Sequence, residues 1–123
     1  MGAVPPRVRV LIVDDDALTR KLFAMVVREL VPEVEVVEAV SVAAARAKLP
    51  AKLVITDYRL ADGTGGDVLA AVRGSEIPDA CVLAVTGIPG DEAKSLAHLG
   101  FDQLIFKPVD LEQLRASCRR ALA

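Results

Sequence analysis

Apolar residues along the chain fall into short solid blocks separated by stretches of helical spacing. Arg7–Val13 (Arg-Val-Arg-Val-Leu-Ile-Val) predicts a strand, halted by the consecutive aspartates Asp14, Asp15 and Asp16. From Leu18 the apolar positions Leu18, Leu22, Met25, Val26 and Leu30 recur at helical intervals, and Pro32 closes that helix. Val34–Ala39 predicts a second strand, and Ser41 an N-cap for an Ala-rich helix ending near Leu49. Leu53-Val54-Ile55-Thr56 is a third strand that runs straight into Asp57. A loop with Gly63, Gly65 and Gly66 leads to a helix over Asp67–Arg73, capped by Asp67 and ended by Gly74. Ala80–Val85 is a fourth strand ending at Thr86, followed through Ile88-Pro89-Gly90 by a helix over Asp91–Leu99. Gln103–Phe106 is the fifth strand, ending at Lys107-Pro108. Asp110 caps a last helix striped by Leu111, Leu114, Cys118 and Leu122.

Strand and helix thus alternate with connections too short for anything but parallel crossovers. The expected fold is α/β: one sheet of five parallel strands with five helices on its two faces. Residues 1–6 are expected to be a disordered lead-in and 7–123 one domain with no attached output domain. Composition agrees with this class. Of 123 residues, 53% are hydrophobic but only 3% aromatic, so the core must be built from Val, Leu, Ile and Ala. The formal charge of −2 argues against a nucleic-acid surface, which would need clustered basic residues. Cys81 and Cys118 lack metal-ligand spacing and read as reduced thiols. No apolar run is long enough for a membrane span and no signal peptide is evident, so a cytoplasmic protein is expected.

In open α/β sheets, ligands gather outside the carboxyl ends of the strands. Those ends carry Asp14-Asp15-Asp16, Asp57, Thr86 and Lys107, with only Glu38 and Ser41 after the second strand. Clustered carboxylates repel unless a cation shares their charge, and Mg²⁺ suits an all-oxygen site that keeps water for a phosphate group. A carboxylate there can attack phosphorus, while an ammonium and a hydroxyl serve the phosphoryl oxygens. These parts fit an aspartyl-phosphate site.

Taken in order, Leu-Ile-Val-Asp14-Asp15-Asp16, Ile-Thr-Asp57-Tyr-Arg-Leu, Ala-Val-Thr86-Gly87 and Phe-Lys107-Pro108 resemble the response-regulator receiver domains of two-component signalling. The resemblance covers almost the whole chain and implies a flavodoxin-like, doubly wound sheet with its five parallel strands in the order 2-1-3-4-5. It implies that Asp57 accepts a phosphoryl group from a phosphohistidine on a histidine kinase or histidine phosphotransfer protein. Asp15 would bind Mg²⁺ directly and Asp14 mainly through water, with Asp57 and the backbone carbonyl of Arg59 completing the set. Thr86 and Lys107 would hold the phosphoryl oxygens, and the Lys107–Pro108 peptide would be cis. Both chemotaxis-regulator-like single-domain receivers and receivers of hybrid sensor kinases match this pattern. The implied protein is a switch or relay shuttle, no enzyme beyond its own phosphotransfer and dephosphorylation. It is a monomer at rest, with dimerisation open to the phosphorylated form.

Duller roles are assigned to Asp16, a helix cap, to Asp62, a loop residue, and to His98, a surface residue. Arg59 and Ile88 flank the expected path of attacking water. Two positions depart from the family pattern: Ala61 replaces a usual proline, and Leu104 stands where receivers carry Tyr or Phe. Leu104 implies an altered output switch, with Phe106 no evident substitute. It is also the one feature favouring a phosphate-independent interaction module. A haloacid-dehalogenase-type phosphohydrolase would share the Asp-x-Asp motif at Asp14–Asp16. Leu18 stands where that family needs Thr, however, and no second acidic motif follows the fourth strand.

Overall fold

The computed structural model describes residues 7–87 and 90–123. The expected lead-in at 1–6 and Ile88 lie outside the described residues. Five parallel strands form one sheet: β1 Arg9–Val13, β2 Glu35–Ala39, β3 Leu53–Asp57, β4 Cys81–Thr86 and β5 Gln103–Phe106. Their order is β2-β1-β3-β4-β5. The helices are α1 Ala17–Leu30, α2 Val42–Lys48, α3 Gly65–Arg73, α4 Gly90–Leu96 and α5 Leu111–Leu122. Each predicted element is present, with ends shifted by a few residues.

Successive side chains of a strand point to opposite faces, so each strand feeds two cores. Val10 and Ile12 of β1, Leu53 and Ile55 of β3, and Leu83 and Val85 of β4 pack with Phe23, Val27, Leu114 and Cys118 of α1 and α5. On the opposite face, Leu11, Val13, Val54 and Val82 pack with Val42, Ala45, Val68 and Val72 of α2 and α3. Aromatic side chains are nearly absent from both layers, as the composition requires.

Helix α1 is where burial departs from the predicted stripe. Its buried residues are Phe23, Ala24, Val26 and Val27, whereas Leu18 is 76% and Met25 57% exposed, with Leu22 also exposed. The helix carries more apolar residues than one face can hold. Spacing alone cannot tell which arc meets the sheet, and Leu18, Leu22 and Met25 form a second, outward stripe.

Between β3 and α3 the structure adds an antiparallel hairpin, Arg59–Leu60 with Gly63–Thr64, turned at Ala61 and Asp62. Asp62 is more than a loop residue. Its carboxylate accepts hydrogen bonds from the backbone N–H groups of Val42 (2.8 Å) and Ala43 (3.0 Å), tying the hairpin to the start of α2. Those bonds hold the Asp62 carboxyl below its usual range. Helix α3 starts earlier than predicted, because Thr64 is its N-cap and Asp67 its capping-box partner. Helix α4 is shorter than predicted. It ends at Leu96, and the chain turns through exposed His98 to Gly100, whose φ of +105° favours glycine.

At the opposite end of the sheet from the strand termini that carry acids, Arg73 joins two loops, α3–β4 and α4–β5. Its guanidinium donates to the carbonyls of Pro78 (2.9 Å), Ala80 (2.8 Å) and Gly100 (3.3 Å). Leu114 is wholly buried between α5 and the sheet. Leu114→Ala is expected to cost about 3 kcal/mol. Urea unfolding would show this as a lower midpoint at unchanged slope.

Candidate functional site

The site is assembled by sheet register. β1 and β3 are adjacent, with Val13 opposite Thr56, so the residues just past each strand meet at one rim. Asp14 continues from β1, its N–H donating to the Ala39 carbonyl at 3.1 Å. Asp57 is the last residue of β3, opposite Val85 of β4. Thr86 ends β4, and the Lys107 N–H donates to its carbonyl at 2.9 Å, joining β5 to the same rim.

Asp14, Asp15 and Asp57 each bring a carboxylate oxygen within 4.8 Å of the others. Asp14 is buried, Asp57 only 8% exposed and Asp15 exposed. Lys107 Nζ lies 3.2 Å from both oxygens of Asp57. Thr86 is buried beside them. Thus the three acids, the hydroxyl residue and the ammonium singled out in the sequence occupy one rim. The peptide between Lys107 and Pro108 is cis, as expected, and so is that between Leu49 and Pro50.

Burial raises the Asp14 carboxyl above its ordinary value of 3.8. The Asp57 and Asp15 carboxylates push the same way, against a 2.8 Å bond from the Asp16 N–H and the nearby Lys107 charge. Asp16 itself caps α1, accepting from Thr19, whose hydroxyl bond is the main cause of its lowered carboxyl. It therefore takes the structural role expected of it.

The loop beyond Asp57 is tightly held. The Tyr58 N–H donates to the Val85 carbonyl (2.9 Å) and the Tyr58 carbonyl accepts from Gly65 N–H (2.7 Å). A Cβ on Gly65 would sit 3.1 Å from the Asp57 carbonyl oxygen and 3.2 Å from the Tyr58 Cα, so a bare glycine lets α3 start against the strand end. Arg59 then opens the hairpin, opposite Thr64. The Tyr58 ring meets Phe101 edge-on at 6.3 Å. Tyr58, Leu60, Thr64, Ser95 and Leu96 line an open cleft of about 380 Å³ between the hairpin and α4.

Leu104 and Phe106 lie on β5 opposite Ala84 and Thr86, on the face away from buried Ile105. Phe106 is 46% exposed. The residue missed by the sequence reading is Arg20. Its guanidinium donates to the Asp14 carbonyl at 2.7 Å and to Glu38 at 2.9 Å. Nothing in local spacing pairs an α1 side chain with the end of β2.

Residues 10–119 match the family model for the response regulator receiver domain. Among curated proteins, the chain is 33% identical over 116 residues to the acid tolerance regulatory protein ActR of Rhizobium meliloti, covering 93% of this chain. It is 39% identical over 111 residues to the photosynthetic apparatus regulatory protein RegA of Rhodovulum sulfidophilum, covering 87% of this chain. In both cases it spans 59% of the relative's length. Among solved structures, a response regulator receiver protein from Pseudomonas putida aligns with a TM-score of 0.76 and 30% identity, over 95% of this chain and 98% of that one. The chemotaxis response regulator CheY4 of Vibrio cholerae shares the fold, with a TM-score of 0.79 at 24% identity over 94% of this chain and 99% of that one. With the acidic rim, Thr86 and Lys107 assembled as described, the chain belongs to the response regulator receiver domain family.

Proposed function

We propose that the chain is a phosphorylatable receiver. Asp57 accepts a phosphoryl group from a phosphohistidine on a histidine kinase or histidine phosphotransfer protein. The observation that carries this reading is the placement of Asp57, nearly buried at a strand end between two further carboxylates and the Lys107 ammonium. In the transfer, an Asp57 oxygen attacks phosphorus, the donor's N–P bond breaks and an acyl phosphate forms. Lys107, which faces both Asp57 oxygens at rest, is positioned to follow the charge onto a phosphoryl oxygen, and the Thr86 hydroxyl would donate to another. Beyond catalysing its own phosphotransfer and dephosphorylation, the chain is a signalling module and no enzyme.

The donor set fits Mg²⁺. Three oxygen-donor side chains converge, one of them exposed so that water can complete the shell. Asp14, Asp15, Asp57 and the Arg59 carbonyl are the ligands we assign. The bound ion would supply the positive charge that offsets the carboxylates and the incoming phosphoryl oxygens.

Output passes through protein contact. The outward stripe Leu18, Leu22 and Met25 and the exposed Phe106 offer apolar surface for it. With Leu104 in place of an aromatic ring, we assign the output switch on the β5 face an altered form. No helix of the described residues is long and apolar enough to cross a membrane. The reading carries a cytoplasmic setting with it, where the nucleotide that charges such donors is found.

Intact mass after incubation with Mg²⁺ and acetyl phosphate tests the proposal. The expected result is a gain of one phosphoryl group, absent without metal and absent in Asp57→Asn. A folded protein that gains nothing and does not bind beryllofluoride either would instead be a phosphate-independent interaction module.

The raised Asp14 carboxyl makes a second prediction. A group whose folded value lies above its unfolded 3.8 favours the folded state when protonated, so ionisation costs stability as pH rises through that window. Without metal, Asp14→Asn should therefore melt at a higher temperature than wild type at pH 7. The gain should shrink as the pH falls toward 3.8.

A further inference from the structure

The acidic cluster is held by more than its own strands, and the hydrogen bonds at Asp14 show how. Its N–H is bound to the Ala39 carbonyl, and its carboxylate accepts from the Asp16 N–H at 2.8 Å. Its carbonyl, which is one half of the Asp14–Asp15 peptide plane, accepts from Arg20 Nη1 at 2.7 Å. Arg20 reaches back from the first turns of α1, and its side chain is only 14% exposed. The other edge of the guanidinium is fixed by Glu38, with Nε 2.9 Å from Oε1. Glu38 sits on β2 directly opposite Ile12 of β1, and its own carbonyl accepts from Lys48 Nζ of α2. Arg20 of α1 thus links the Asp14–Asp15 peptide to Glu38 of β2, whose backbone is in turn held by Lys48 of α2.

We propose that Arg20, anchored by Glu38, is a positioning residue for a divalent cation at Asp14 and Asp15. This rests on the Mg²⁺ reading above. The chemistry is specific. Arg20 brings a positive charge beside the acids, yet it donates to a carbonyl, leaving the carboxylate oxygens for the ion. Lys107 differs, since its ammonium faces the Asp57 oxygens themselves. By locking the Asp14–Asp15 peptide, Arg20 sets the directions in which both side chains leave the backbone. Its planar fork allows the bond to Asp14 and the bond to Glu38 together, which an ammonium on a flexible stem cannot reproduce.

This role has a sign that charge alone does not. Removing a cation beside a cation site should strengthen binding of the metal by reducing repulsion. Removing a group that holds ligands in place should weaken it, typically tenfold or more for outer-shell partners. Isothermal titration of the metal-free full chain with MgCl₂ reads this without any phosphorylation. Arg20→Ala is expected to bind Mg²⁺ about tenfold more weakly than wild type, despite the lost positive charge. Arg20→Lys, which keeps the charge, should also weaken binding, with circular dichroism confirming the fold of each variant. Arg20→Ala that binds as tightly as wild type, or more tightly, overturns the proposal. Should Arg20→Ala not fold, Arg20→Lys decides: weaker binding supports the role and unchanged affinity refutes it. A wild-type chain that takes up no Mg²⁺ would refute the metal reading itself, and the positioning role would fall with it.

Discussion

Three carboxylates brought within 4.8 Å of one another repel, and at this site it is the parallel sheet that keeps them together. Their separation is decided by the register of β1 against β3, which the buried apolar residues on both faces leave no freedom to slip. A one-residue slip would exchange the two cores as well as dismantle the rim. The packing that stabilises the domain and the arrangement that stores electrostatic repulsion are therefore the same structure, and the cost of the second is carried by the first. Asp14 shows that cost in its raised carboxyl, and the Lys107 ammonium at Asp57 relieves part of it.

The sheet was legible from sequence for a physical reason. Strands buried on both faces read as solid apolar blocks, and the polar residue that ends each block is the one delivered to the rim. Asp14, Asp15, Asp57, Thr86 and Lys107 were found in this way, without any knowledge of distances. Asp15's exposure and the near burial of Asp57 were not legible, because they depend on what the neighbouring loops cover.

What sequence reasoning missed was short or tertiary. The hairpin at Arg59–Leu60 and Gly63–Thr64 is too brief to display a period of two. Thr64 and Asp67 are both good capping residues, and only the backbone decides which is the cap and which the partner. The choice between the Leu18, Leu22, Met25 stripe and the Phe23, Val26, Val27 arc depends on how α1 is rotated against the sheet. Arg20, Arg73 and Asp62 act on backbone groups of distant segments, bonds that leave no mark in local periodicity.

Strand β5 is also one edge of the sheet, and among the described residues no strand lies beyond it. Such an edge invites pairing with another chain, the first step toward aggregation. Here the ladder is four residues long and is followed by Lys107 and Pro108. Pro108 has no N–H to offer a further strand at the point where pairing would extend, while the Lys107 ammonium turns inward to Asp57. The two neighbours thus divide the work, Lys107 serving the rim on the inner side and Pro108 ending the ladder on the outer one.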